Sequence, residues 1–552
     1  MVEKVQNNTK KTFMSGVLLL SLSTVLVKII GLVYKIPMLS YLGSEGMGYF
    51  NSAYEIYALF CVISTAGLPV ALSVLISGAL AKGDGGQVRR IYRTSLSVFL
   101  LIGVLGTAVM VLFARRFCGL MKSDNAYYCI LSIAPTVFFI CLSSALRGYF
   151  QGYQKMLPTA ISQILESAGK LIFGLLFARM ALARGYETPV VAAFAGIGLT
   201  LGTAVSVGYL LVEKARFRPR EECDTDRLSK HSFSEKRREI RKDLSRLAIP
   251  MTLGASLVSI TKLIDMTMIL RRLQAIGYTE IAANEAYGSY TTLALSVFGL
   301  LPALVNAVAL PLVPMLSAAI ASGDREQQAQ IIKSSYRMTS MFAVPAALGI
   351  SAYARPILLL LFGREPEAVA LAAPLLSYLG LSVFLSCMIT ATNSVLHAYQ
   401  VVNRPILSML GGALIKILTA YFLIGNPNIA LAGAPISSFF CNATVVMLNL
   451  WFASRLCPIS DLKSIFVKPL ATSTVSIGVS YLFYLMLASH LGESTVLTLV
   501  SLLLAVTLYL LLSCLFGVFC EEDILALPMG EKIYRILQKM RLLPHDSCTV
   551  KN

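Results

Sequence analysis

LRGYFQGYQKMLPTAISQILESAGK, residues 146–170, has a counterpart about 246 positions further on, NSVLHAYQVVNRPILSMLGGALIK, residues 393–416. Each carries a Tyr-Gln pair (Tyr153-Gln154 and Tyr399-Gln400), then a proline (Pro158 and Pro405), then an apolar run holding one lysine (Lys170 and Lys416). Other echoes keep the same order. LVKIIGLVYKIPMLSYLG (26–43) matches ITKLIDMTMILRRLQAIG (260–277), setting Lys28 against Lys262 and Gly43 against Gly277. ALAKGD (79–84) matches AIASGD (319–324), and YRTS (92–95) resembles YRMTS (336–340). Several weak echoes in one order indicate an internal duplication.

Composition fixes what is duplicated. The 552 residues are 56% hydrophobic and only 14% charged, where soluble chains carry about 25% charged residues. That composition is one of an integral membrane protein. Fourteen apolar runs can be counted, near 13–39, 49–79, 91–114, 127–152, 159–182, 190–212, 247–270, 287–320, 335–362, 372–400, 406–424, 429–453, 466–489 and 494–519. The first is too long for a cleaved signal peptide, contains Lys28 and Lys35, and lacks a small-residue cleavage site. The expected fold is an all-α membrane protein of about 14 transmembrane helices. Two pseudo-symmetric six-helix lobes would surround a central cavity, and two further helices would follow. The corresponding divisions are an N-terminal lobe at 1–212, a basic cytoplasmic loop at 213–246, a C-terminal lobe at 247–455, two extra spans within 456–519 and a tail at 520–552. Parallel repeats of this kind build transporters whose site lies between lobes.

The net charge of +18 is carried mainly in short loops, so it sets topology and meets anionic membrane lipids rather than nucleic acid. Loop 213–246 alone holds twelve Lys and Arg. The positive-inside rule therefore places both termini in the cytoplasm. In the tail, Ile533, Ile536, Leu537 and Met540 recur at helical spacing, as expected of a surface-lying amphipathic helix. The eleven cysteines are scattered without a CxxC pair and the four histidines lack ligand spacing. Neither disulfides nor a metal is expected. No nucleotide-binding loop, nucleophile motif or large acidic extramembrane domain points to an enzyme, and no catalytic residue is assigned.

Charges within the spans are the informative residues, since a mid-membrane lysine costs roughly 2.5–3.5 kcal/mol on insertion scales. Lys28, Lys262, Lys170 and Lys416 are the candidate cavity ligands. Two other readings compete: snorkelling, or pairing of Lys170 with Glu166 (i, i+4) and of Lys262 with Asp265 (i, i+3). Arg147, near the cytoplasmic end of its span, is either a snorkelling cation or an entrance contact. Lys35 is expected as an interface anchor. Glu55, Glu166 and Asp265 are the carboxylates in the spans and the candidates for ion pairing or for coupling to Na+ or H+. Gln151, Tyr153, Gln154, His397, Tyr399 and Gln400 are the candidate entrance rim. Pro37, Pro69, Pro158, Pro250 and Pro405 are candidate helix breaks. A cationic interior suits a diphosphate; an exporter of cationic drugs would want carboxylates there.

ALRGYFQGYQKMLPTAISQILE (145–166), GLPVALSVLISGALAKGD (67–84) and SGVLLLSLSTVLVKIIGLVYKIPML (15–39) resemble the stage V sporulation protein B group. That group is similar to the MurJ-like flippases and sits in the polysaccharide-transporter branch of the multidrug/oligosaccharidyl-lipid/polysaccharide exporter superfamily. The resemblance covers nearly the whole chain. It implies a fourteen-helix, two-lobe flippase of the bacterial cytoplasmic membrane. The implied substrate is an undecaprenyl-diphosphate-linked sugar, most plausibly the peptidoglycan precursor lipid II. Another lipid-linked polysaccharide unit is the alternative, and a cation-coupled multidrug antiporter a more distant one. A place in cell-wall synthesis or sporulation, with cell-wall synthesis proteins as partners, follows from the same resemblance. The MurJ-like first helix carries an Arg-Asp pair where this chain has Tyr34-Lys35.

Overall fold

The computed structural model describes residues 2–217, 231–300, 302, 312–401, 403–458 and 462–518. Every regular element among the described residues is helical. The expected amphipathic tail at 520–552 and the middle of the basic loop, 218–230, lie outside the described residues.

Packing divides the chain into two compact units, 1–292 and 293–552. The first contains α1 (Val2–Thr65), α2 (Leu68–Ala81), α3 (Gly85–Leu112), α4 (Ala114–Met121), α5 (Tyr127–Gly152), α6 (Leu157–Ala183), α7 (Thr188–Arg216), α8 (His231–Ala275) and α9 (Glu280–Ser289). One π-helical turn, Tyr290–Ala294, continues α9. The second contains α10 (Leu295–Phe298), α11 (Leu312–Ala321), α12 (Arg325–Ala352), α13 (Ala354–Phe362), α14 (Pro366–Ala398), α15 (Asn403–Ile424), α16 (Gly433–Leu456), α17 (Leu462–Leu491) and α18 (Thr495–Leu515). This division lies beyond the lobe boundary expected in loop 213–246. The reason is packing: α8 and α9 lie against α1, and α8 also against α2, so both join the first unit.

Among the described residues, eleven helical segments are long and apolar enough to cross a membrane, or twelve if α12 and α13, bent by 77°, form one span. The expected fourteen exceed this for two reasons. Leu22–Ala81 is one helical stretch of 60 residues, about 90 Å if straight against a hydrocarbon core of about 30 Å. It therefore has to run out and back. The run at 287–320 also includes residues outside the described set. The reversal within α1 is made at Gly43, whose φ of 64° and ψ of 176° leave helical space, a backbone region open chiefly to glycine. Pro37, expected as a break, instead sits within α1, and Pro250 within α8. Pro69 and Pro158 stand in the first turn of α2 and α6, where the missing N–H has no helical partner to lose.

The sequence echoes recur as matched local geometry. Gly83 and Gly323 both have positive φ, and Asp84 and Asp324 each cap the helix that follows. Gln154 (φ 58°) and Gln400 (φ 59°) are both left-handed. Each closes the turn after a long helix: Lys155 N–H donates to the Phe150 carbonyl (2.9 Å) and Val401 N–H to that of Leu396 (3.0 Å). The Tyr-Gln pairs are thus helix terminators of the six-to-one type.

Candidate functional site

Within the first unit, the charged residues of four helices converge. Lys28 and Lys262, on α1 and α8, are both exposed and lie within electrostatic range of each other. Lys35 is in range of Lys28, Lys262, Lys170 and Glu55. Lys28 and Lys35 are seven residues apart, which is two helical turns and one face. Tyr287 of α9 lies in the field of both Glu55 and Asp265, so these two carboxylates share one neighbourhood. The assembly thus holds four lysines and Arg147 against Glu55, Glu166 and Asp265, and its balance is cationic.

Lys35 is more than the interface anchor expected. Its Nζ donates to the Thr291 carbonyl at 3.2 Å, in the π-helical turn Tyr290–Ala294. A π-turn shifts the backbone ladder by one residue and is often found at functional sites. Asn51 Nδ2 donates to Thr291 Oγ1 (2.8 Å) and Thr292 Oγ1 (2.9 Å) from the returning half of α1. The signal for Lys35 was the i, i+7 spacing from Lys28; nothing in the sequence marks the π-turn.

Arg147 on α5 and Glu166 on α6 form an ion pair at 2.8 Å, with side chains 10% and 21% exposed. Arg147 also donates through Nε to Ser162 Oγ (2.8 Å) and through Nη2 to Ser206 Oγ (3.3 Å). The guanidinium therefore ties α5 to α6 and α7. Glu166 finds its ion-pair partner in Arg147, not in Lys170 one turn along its own helix. Lys170 is the fourteenth of the 27 residues of α6, near mid-membrane. Its Nζ lies 4.6 Å from the ring centre of Tyr54, 4.9 Å from Tyr34 and 5.6 Å from Phe50. No run of aromatic residues in the sequence announced that arrangement, because Tyr34 lies in one half of α1 and Phe50 and Tyr54 in the other.

Lys416 is the fourteenth of the 22 residues of α15, in the second unit. Of the candidate rim residues, Gln151 lies in the last turn of α5 and His397 in that of α14, and Tyr153-Gln154 and Tyr399-Gln400 form the turns that terminate those helices. Tyr399 donates to Gln328 Oε1 at 2.7 Å. Tyr153 packs with Tyr149 and Phe217, over which the Lys155 ammonium sits at 3.8 Å. Among the described residues, no three His, Cys, Asp or Glu side chains gather as a metal site.

Comparison with known proteins adds the family. The family model for polysaccharide biosynthesis proteins matches residues 13–322, and that for MatE matches residues 250–422. The chain is 26% identical over 464 residues to stage V sporulation protein B of Bacillus subtilis (strain 168), covering 82% of this chain and 85% of the relative. It is 25% identical over 426 residues to the lipid II flippase MurJ of the same organism, covering 73% and 76%. Among solved structures, the lipid II flippase MurJ in an inward closed conformation superposes with a TM-score of 0.69 at 16% identity, covering 90% of this chain and 98% of that one. An inward-facing MATE family multidrug transporter of the MOP superfamily superposes with a TM-score of 0.63 at 16% identity, covering 79% and 100%. MurJ is described as a flippase and the MATE protein as a transporter, not as enzymes, and the fold they share with this chain is an all-α membrane transporter fold.

Proposed function

This chain belongs to the polysaccharide biosynthesis protein family, and we propose that it is a flippase that carries an undecaprenyl-diphosphate-linked sugar, lipid II in the first instance, from the inner to the outer leaflet of the bacterial cytoplasmic membrane. The observation that carries the reading is the lysine cluster of the first unit. Lys35 stands in the fields of Lys28, Lys170 and Lys262, and Lys28 in that of Lys262, inside a membrane protein, an arrangement that is costly unless an anion is to be met there. A diphosphate loses its hydration shell on entering the bilayer, and ammonium groups replace that water. The polyprenyl chain can stay in lipid while the head group moves.

The two lobes expose the site alternately to either side of the membrane, with both termini in the cytoplasm. Lys416 serves as the counterpart of Lys170 in the second repeat. An inside-negative potential favours outward movement of an anion by about 2.3 kcal/mol per charge per 100 mV. Glu55, Glu166 and Asp265 are the carboxylates at which coupling to Na+ or H+ is to be tested. The MatE match favours one other reading, a multidrug antiporter. The excess of lysine over carboxylate argues against a cationic drug as cargo.

The test is complementation. In cells depleted of their lipid II flippase, this chain is expected to restore growth and outward movement of lipid II. Loss of rescue is expected for Lys28→Gln and Lys262→Gln at unchanged protein levels. A correctly inserted chain that supports neither growth nor lipid II movement would overturn the lipid II assignment.

A further inference from the structure

Lys170 makes no ion pair among the described residues, although the Glu166 carboxylate one turn back lies in its field. Glu166 is engaged by Arg147 at 2.8 Å, and among the described residues no carboxylate stands within ion-pair distance of Lys170. What surrounds the ammonium is aromatic: Tyr54, Tyr34 and Phe50 at 4.6, 4.9 and 5.6 Å from ring centre to Nζ. All three lie within the roughly 6 Å at which a ring quadrupole attracts a cation. The rings brace one another, with Tyr34–Phe50 and Phe50–Tyr54 centres each 6.3 Å apart. Tyr34 and Phe50 are almost wholly buried, whereas Tyr54 and Lys170 are partly open. Space for Tyr34 comes from Gly174, one turn beyond Lys170 on α6. A Cβ there would stand 3.0 Å from the Tyr34 Cε2.

A carboxylate partner would stabilise the ammonium by cancelling its charge. Aromatic faces stabilise and aim it while leaving the unit charge in place. We propose that Tyr34, Phe50 and Tyr54 are positioning residues that hold the Lys170 ammonium, un-neutralised, for the diphosphate of the transported lipid. This rests on the reading of Lys170 as a substrate ligand given under Proposed function. It explains why Arg147 and Glu166 are paired away from Lys170: the one nearby carboxylate on its own helix face is occupied.

The experiment grades the ring quadrupole at nearly constant shape. In the purified full-length protein, position 54 carries phenylalanine, then mono-, di- and trifluorophenylalanine, and binding of undecaprenyl diphosphate is measured. The expected result is a stepwise rise in Kd, reaching roughly tenfold with three fluorines. The same series in a Lys170→Gln background is expected to be flat. A series that is flat with Lys170 present, or one that rises equally without it, overturns the proposal and assigns the rings to packing alone. Lys170→Gln by itself separates the two levels. If it binds undecaprenyl diphosphate as tightly as the parent, Lys170 is no ligand and the underlying reading fails. If it binds more weakly while fluorination has no effect, only the aromatic inference fails.

Discussion

Arg147 and Lys170 are both basic, both inside spans, and handle their charge in opposite ways. The guanidinium is planar and forked, so one side chain can serve Glu166, Ser162 and Ser206 together. The ammonium is a compact point charge that rings can surround. Helical spacing made Glu166 and Lys170 candidate partners; Arg147, arriving from α5, is the residue that reaches the carboxylate. Spacing along one helix cannot reveal a partner from its neighbour, which is why this pairing was not legible. Removing one half of a buried pair costs about 3–5 kcal/mol, because the other charge is left stranded. Arg147→Ala is therefore expected to lower the thermal unfolding midpoint and the yield of the purified protein sharply. Arg147→Ala with Glu166→Ala should recover part of that loss. A single variant as stable as the parent would contradict the structural role of this pair.

Among the elements, the repeated turns carry the clearest lesson. The Gly-Asp echo was readable as a turn and cap, since glycine advertises positive φ and aspartate advertises a helix start. The Tyr-Gln echo read as a polar rim because glutamine advertises neither. Its φ of 58° and 59° costs roughly 1–2 kcal/mol relative to a right-handed residue. Gln154→Gly and Gln400→Gly are thus expected to raise the unfolding midpoint, and Gln154→Val to lower it. Transport separates the two meanings of the motif. If glycine at 154 or 400 raises stability yet abolishes lipid II movement, the side chain also touches substrate. The break at Gly43 was hidden for a related reason: Pro37 is the more conspicuous residue, but a proline within an α-helix bends it, whereas φ of 64° with ψ of 176° reverses the chain.

Across the whole molecule, the all-α class and the multi-pass character were legible, because hydropathy survives without any tertiary information. The convergence of Lys28, Lys35, Lys170 and Lys262 was legible only in part. Three of the four stand out as charges within apolar runs, while Lys35 acquires its role from a π-turn some 256 residues away. The aromatic enclosure of Lys170 was not legible at all, since the reversal at Gly43 brings its rings together. Orientation remains a charge argument, and reporter fusions at either end are expected to be active only on the cytoplasmic side. An external reporter at one terminus would contradict the even number of spans expected from the sequence.

The most direct measurement follows a fluorescent lipid II analogue in proteoliposomes containing the purified chain. Translocation faster than in protein-free vesicles is expected for the parent, with loss of at least most of that rate in the Lys28→Gln, Lys170→Gln, Lys262→Gln triple variant at equal incorporation. A parent no faster than empty vesicles, or a triple variant as fast as the parent, would contradict a cationic site that carries the diphosphate.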